Sequence, residues 1–304
     1  MRVLADRSHR AVALLFFSAT LWGLSWWPLK QFAAQGLGGA MLALLAYGPV
    51  AAAGLLVLWR QRLQWRPAAA RLLALGLIGG SANVAFVAAL MQGEVVRVML
   101  LFYLSPVWSV LGARLFLGEA VGRRRLLAVA LALAGLAAVL GEGWAWAAAL
   151  TPTDGLALWA GLAFAGNNLL ARATPGVPLG SKTAAVFAGA AIAAAMLLAA
   201  GGGAAAALPA ASAVGAALAY GVGWLGLAMV TWQYGVTHLQ TGRAAVILLT
   251  ELVVAVASSV AMGEEPLTLR LAVGALLIGL AAWLEASDEA ADPVPGKRFA
   301  TERS

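Results

Sequence analysis

Apolar residues run on for about 20 positions at a time in this chain, stop at short polar links, and resume, from one end to the other. At about 1.5 Å rise per helical residue, a run of that length matches the hydrocarbon thickness of a bilayer. The pattern predicts ten helices, at 11–29, 40–59, 71–91, 95–117, 124–141, 154–172, 183–200, 212–235, 243–262 and 267–285. Links such as GEVVR and MGEEPLT are so short that consecutive helices must lie antiparallel. The expected fold class is therefore an all-α membrane protein with ten transmembrane helices.

Composition agrees, since 62% of residues are hydrophobic and 11% charged, against roughly a quarter charged in soluble domains. The absence of cysteine removes disulfides and thiolate metal sites, and His9 and His238 are too few and too far apart for a metal centre, so neither metal nor cofactor is expected. The opening MRVLADRSHR has the basic character of a signal-peptide start. No small-residue cleavage site follows before the next span, so the first run is expected to remain as a helix.

A formal charge of +7 raises the question of nucleic acid, and placement answers it. With loops assigned alternately, one side receives Arg2, Arg7, Arg10, Arg60, Arg62, Arg66, Arg71, Arg114, Arg123, Arg124, Arg125, Arg172, Lys182, Arg243, Lys297, Arg298 and Arg303. The other keeps Lys30, Arg97 and Arg270. The positive-inside rule produces such a bias, so residues 1–10 and a disordered tail at 287–304 are both expected in the cytoplasm. The charge marks topology and forms no single patch for nucleic acid.

The chain also repeats itself. SPVWSVLGARLFLGE at 105–119 resembles TELVVAVASSVAMGE at 250–264, VRVMLLFYL pairs with GRAAVILLT upstream, and LALAGLAAVLGE pairs with LLIGLAAWLEA downstream. LWGLSWWPLK from Leu21 pairs with AFAGNNLLAR from Ala163, which sets Lys30 opposite Arg172 and Ser25-Trp26 opposite Asn167-Asn168. Residues 11–150 and 151–286 thus read as two five-helix repeats. Five is odd, so the second must enter the bilayer inverted, an architecture by which secondary transporters obtain two openings around one site.

The ten-span pattern, the early LWGLSWWPLK and the two runs closing in LGE and MGE resemble the drug/metabolite transporter superfamily, specifically its EamA-type exporters, over about residues 11 to 285. Within it, the tryptophan-rich first helix and the layout look like the YddG-like aromatic amino-acid exporters. The resemblance implies a multi-pass protein of the bacterial inner membrane that exports amino acids, aromatic and other neutral ones, by alternating access at a central cavity. Other metabolites or lipophilic cationic drugs are the alternative cargo. One position departs from the repeat: Glu251 stands where the first half has Pro106, so the two halves are not expected to bend alike there.

Candidate site residues follow from aromatic and polar positions inside the spans. Of 12 tryptophans, Trp59, Trp65, Trp144, Trp146 and Trp283 lie near span ends and read as interfacial anchors. Trp22 and Trp26 share a helix face. Phe86, Tyr103, Trp108, Trp224 and Trp232 complete an aromatic set able to hold an aromatic side chain or a cation. Asn83, Asn167 and Asn168 lie deep in apolar sequence. They either join helices or capture a zwitterion's carboxylate, and Gly166-Asn167-Asn168 is expected to loosen the sixth helix.

Glu251 stands eight residues into the ninth span, about 12 Å along its axis. A charge at that depth is costly, and three roles stay open: contact with a substrate ammonium, proton carriage, or a hydrogen bond to a neighbouring helix. Lys30, Arg97 and Arg270 lie near outer span ends as anchors or gates, Glu119 and Glu264 close their helices, and His238 reads as a loop residue. Asp154 and Glu142 sit alone in an outer loop. The stretch 199–217 is a Gly/Ala connection.

Pro28 and Pro106 remove backbone hydrogen bonds and are the hinge candidates. An intramembrane enzyme would need paired acids, or a histidine beside a nucleophile, and the spans offer neither. A receptor or assembly subunit without transport is the remaining reading. Ten helices can enclose a site within one chain, so a monomer suffices. With one mid-membrane acid, downhill export and proton antiport both remain open.

Overall fold

The computed structural model describes residues 2–117, 122–140, 150–201, 210–239, 247–264, 266 and 268–289, and these are helical or in turns, with no strand among them. The helices are α1 (Arg2–Gly23), α2 (Trp26–Ala34), α3 (Gly39–Arg60), the single turn α4 (Arg62–Trp65), α5 (Ala69–Gln92), α6 (Val95–Phe102), α7 (Ser105–Leu117) and α8 (Arg123–Leu140). They continue as α9 (Pro152–Arg172), α10 (Leu179–Ala200), α11 (Ala211–Ala219), a π-helical segment Tyr220–Leu225, α12 (Gly226–His238), α13 (Thr250–Ala261) and α14 (Leu269–Glu289). Lipid offers backbone groups no hydrogen bonds, which is why apolar runs of this length fold as helices.

Six stretches among the described residues are long and apolar enough to cross a membrane: His9–Ala34, Gly39–Arg60, Arg62–Gln92, Val95–Gly112, Leu179–Ala200 and Ala211–Trp232. Leu126–Ala138, Thr250–Ala261 and Leu269–Ala281 are shorter apolar helices. By length and composition alone, six of the ten expected spans are met among the described residues. Large apolar side chains on the outside of the bundle, such as Leu55, Trp59, Leu73, Leu115, Val253 and Leu276, are exposed as lipid-facing residues are.

Small residues set the helix packing. Gly76 and Gly80 are four apart on α5 and face Ala185 and Gly189, four apart on α10. A Cβ on Gly76 would stand 2.7 Å from the Ala185 carbonyl, and one on Gly80 or Gly189 would overlap the opposing backbone. Backbones that approach this closely gain van der Waals contact, the main attraction between helices in lipid. Gly221 of the π-helical segment lies against Ala46 of α3 in the same manner, and Gly135 of α8 against Ile278 and Gly274 of α14.

The neighbours form a definite set. α10 packs on α3 and α5, α9 on α5, α6 and α7, α1 on α12 and α13, α13 on α6, and α8 on α14. Contacts along each interface give direction. Arg97 meets Asp154 and the Phe102 carbonyl meets Gly161, so α6 and α9 run parallel. Gly23 meets the Glu251 carbonyl, Trp26 meets Ser258 and Lys30 meets Glu264, so α1–α2 and α13 run parallel too.

The Gly-Glu that closes 250–264 has a backbone reason. Gly263 adopts φ 75°, a left-handed conformation that costs glycine nothing. It lets the Glu264 N–H reach the Ser259 carbonyl (3.0 Å) and the Gly263 N–H reach that of Val260 (3.1 Å), ending the helix. The matching Gly118-Glu119 lies outside the described residues, as do Glu142, Trp144, Trp146, Arg243 and the tail from 290.

Candidate functional site

Two helical passages break near their middle and a third turns close to its first described residue, and the breaks carry the polar chemistry. α1 stops at Gly23 and α2 starts at Trp26, with Leu24 and Ser25 in a turn. Pro28 cannot donate to the carbonyl four residues back, that of Leu24. The Leu24 carbonyl accepts from the Trp27 N–H instead (3.1 Å), and because the Ser25 N–H turns to the Trp22 carbonyl (3.1 Å), the Leu21 carbonyl is satisfied by the Ser25 hydroxyl (2.9 Å) and by the indole N–H of Trp224 (3.0 Å), which also reaches Ser25 Oγ at 3.1 Å. Tyr220 joins Ser25 through its hydroxyl, and its ring packs between Phe32 and Trp224. On the other side of the break, the Trp26 indole donates to Ser258 Oγ of α13 at 2.9 Å, and Trp26 is 1% exposed.

The second break, at Tyr103 and Leu104, separates α6 from α7. Pro106 leaves the Phe102 carbonyl without its helical donor. That carbonyl lies against Gly161 of α9, where a Cβ would come within 2.7 Å. The third break is the turn at Leu249, just before α13, with the Thr250 hydroxyl bonded to the Ile247 carbonyl at 2.6 Å. No proline accompanies it. The two fourth-helix segments were expected to bend differently because Glu251 replaces Pro106; both are broken immediately before the aligned Ser105 and Thr250.

The second and third breaks meet. The Tyr103 hydroxyl is hydrogen-bonded to the Glu251 carboxyl and lies 3.4 Å from the Leu248 carbonyl. Glu251 is thus a half-buried acid with a protein partner in hand, and Gly23 packs on its backbone carbonyl. Ser258 stands seven residues further along the same face of α13, so the Tyr103–Glu251 and Trp26–Ser258 contacts line one wall. Trp22, one turn before Trp26, packs half-buried on the same core.

Below Tyr103 the lining turns aromatic. Phe102 packs at a tilt against Phe86 (4.6 Å between centroids) and Phe164 (5.4 Å) and edge-on against Tyr103 (5.7 Å). Further along, Asn83 donates to the Gly79 carbonyl (2.8 Å) and lies 3.4 Å from the Tyr47 hydroxyl, while Asn167 Oδ1 faces Gly79, where a Cβ would stand 2.5 Å away. Asn167 Oδ1 and Trp108 Nε1 are buried and have no protein hydrogen-bond partner.

Some expected features fall elsewhere. α9 is continuous from Pro152 to Arg172, so Gly166-Asn167-Asn168 does not loosen the sixth helix, because each backbone group there finds its helical partner. Adjacent helical residues point about 100° apart, and Asn168 is exposed while Asn167 is half-buried with its Oδ1 against Gly79. Trp232 is half-buried on α12, two turns beyond Trp224. Asp154 is not a lone loop acid: with Thr151 it forms a capping box at the start of α9 and binds Arg97 through both oxygens, at 2.7 and 2.9 Å. Glu264 does not merely close its helix but pairs with Lys30 at 3.7 Å.

Sequence reasoning passed over Ser258, Tyr47, Tyr220, Phe102 and Phe164. Ser258 alone carried a signal, its i+7 spacing from Glu251. The Oγ–Trp26 contact itself depends on tertiary register.

Residues 9–141 match the model of the EamA-like transporter family. Fifteen chains of solved structures are similar to this one. One is a crystal structure of a protein 19% identical, with a TM-score of 0.59, aligned over 93% of this chain and 99% of that one. At that identity it speaks for the fold alone. No curated protein matches the chain. The family match and the apolar helices indicate a multi-pass membrane protein, and the match points to a transporter of small molecules rather than an enzyme.

Proposed function

We propose that this protein is a ten-crossing carrier of two inverted five-helix repeats that exports amino acids, aromatic and other neutral ones, by alternating access. The observation that carries the reading is the packing pattern. Let the spans be numbered 1 to 10 in chain order and each exchanged with its mate five places away. The pairing of α9 on α5 (spans 6 and 3) then maps onto that of α1 on α12 (1 and 8), and α9 on α6–α7 (6 and 4) maps onto α1 on α13 (1 and 9). Directions map as well: both members of the second set are parallel. The pairs α3–α10 and α8–α14 map onto themselves. A two-fold axis within the membrane plane has these consequences, and such an axis lets one set of contacts open as its mate closes.

The breaks support the same reading, because irregular backbone at membrane depth is tolerated where it is buried in protein or lines a cavity. Both termini lie on the cytoplasmic side by the distribution of basic residues, and the cargo moves from cytoplasm to periplasm across a bacterial inner membrane. A single chain encloses the site. A second cargo class, lipophilic cations, is favoured by Glu251 beside aromatic rings. The test is flux through purified protein in liposomes, with phenylalanine, leucine, a nucleoside and tetraphenylphosphonium as separate probes. Saturable movement of phenylalanine is expected, and its absence alongside saturable movement of the cation would replace the first cargo with the second.

A further inference from the structure

The described bundle leaves two buried side-chain polar atoms unpaired, and they are complementary. Trp108 Nε1 carries a hydrogen and can only donate; Asn167 Oδ1 is a carbonyl oxygen and can only accept. Burying either without a partner is costly. Two such atoms would be a defect of folding if they were scattered, but their depths coincide.

α6–α7 and α9 run parallel, fixed in register by Arg97 on Asp154 and by the Phe102 carbonyl on Gly161. Six residues beyond Phe102 is Trp108, and six beyond Gly161 is Asn167. At helical rise both lie about 9 Å further along their helices, so the donor and the acceptor occupy one layer on adjacent elements. The neighbouring layer is aromatic: Phe164 stands one turn back from Asn167 and joins Phe102 and Phe86.

Resting on the carrier reading, we infer that Trp108 and Asn167 are the head-group subsite of the transport site, taking the carboxylate and the ammonium of a zwitterionic α-amino acid whose side chain packs toward Phe86, Phe102 and Phe164. The indole N–H serves the carboxylate and the Asn167 carbonyl serves the ammonium. Glu251 holds the Tyr103 hydroxyl instead. Neither member of the pair is charged, which suits a head group whose own charges cancel. A lipophilic cation has no acceptor to offer Trp108, so it would leave that donor unpaired.

The test compares L-phenylalanine with phenethylamine, which lacks the carboxylate, and 3-phenylpropionate, which lacks the ammonium, in liposomes holding the full chain. Hydrogen bonds to charged groups have a size that corresponds to about tenfold or more in affinity. Trp108→Phe is expected to raise the half-saturation concentration for phenylalanine about tenfold while leaving phenethylamine unchanged. Asn167→Ala is expected to weaken phenylalanine and phenethylamine alike and to spare inhibition by 3-phenylpropionate. A change in local packing would shift all three probes together.

Equal shifts across the probes, or none, would overturn the assignment while phenylalanine flux through the unaltered protein upheld the carrier. Absence of flux for every probe in the unaltered protein would remove the carrier reading and this inference with it. If Trp108→Phe does not fold, the Asn167→Ala pattern decides by the same criteria.

Discussion

The two broken passages, α6–α7 and the segment entering α13, reach the same shape by different means. The first has Pro106 just past its break and the second has none, yet each sets a backbone carbonyl, Phe102 or Glu251, against a glycine of a parallel neighbour, Gly161 or Gly23. The proline therefore does not create the break. What the two share is a glycine opposite, which lets the carbonyl come in where a side chain would exclude it. When the pairing of 105–119 with 250–264 is extended back, Phe102 matches Ile247 and Gly161 matches Ala19, so both members of the contact lie four residues further along in the second half and the register between the partners is the same. The close approach has thus moved by one helical turn, about 5.4 Å, along both partners together.

The strongest way to break this comparison is to fill the glycines. A Cβ at position 23 would stand 2.6 Å from the Glu251 carbonyl, and one at 161 would stand 2.7 Å from that of Phe102. Backbone cannot yield as a flexible side chain can, so Gly23→Leu and Gly161→Leu should each destabilise by about 1–3 kcal/mol or more. A fall in Tm and loss of monodisperse protein after detergent extraction would register it. Damage from one substitution and not the other would show that the two contacts are not equivalent.

Pro106→Ala comes next. Because α13 keeps its turn without proline, the break at Tyr103–Leu104 should survive, and the substitution should act on motion. Turnover is expected to fall several-fold, within about the tenfold that 1.36 kcal/mol of barrier represents, with the half-saturation concentration unchanged. Equal loss in both would argue against a hinge. Glu251→Gln should be milder still: the amide can keep the Tyr103 contact, so affinity for phenylalanine is expected to hold. A tenfold loss would return the ammonium to Glu251 and displace Asn167 from that role.

How much of this could be read from the sequence depends on how far apart the interacting residues lie. Run length alone announced an all-helical membrane protein, and the singular Glu251 and the Gly-Glu helix stop were visible as local anomalies. The break before Thr250 was not legible, because no proline in its own segment marks it. The pairing of Arg97 with Asp154, and the common depth of Trp108 and Asn167, belong to parallel neighbours that are not adjacent in the chain, and only tertiary register reveals them. Asn167 and Asn168 looked interchangeable as letters. Their 100° separation on an unbroken helix sets the Oδ1 of one against Gly79 and leaves the other exposed.

The two ion pairs on the mated interfaces give the finest test of the comparison. Arg97–Asp154 joins α6 to α9 with an acid whose side chain is 3% exposed and is held by two guanidinium bonds and a capping box; Lys30–Glu264 joins α2 to the end of α13 at 3.7 Å, with 26% and 40% of the side chains exposed. Removing one partner of a buried pair strands the other and costs about 3–5 kcal/mol, whereas exposed pairs contribute roughly 0–1. Asp154→Asn should therefore lower Tm clearly, while Lys30→Gln should lower it little, and by less as salt rises. If Lys30→Gln instead left Tm unchanged but altered the turnover of phenylalanine, the weaker pair would be a contact made and broken within the cycle, and the difference in strength between the two interfaces would mark which of them has to open.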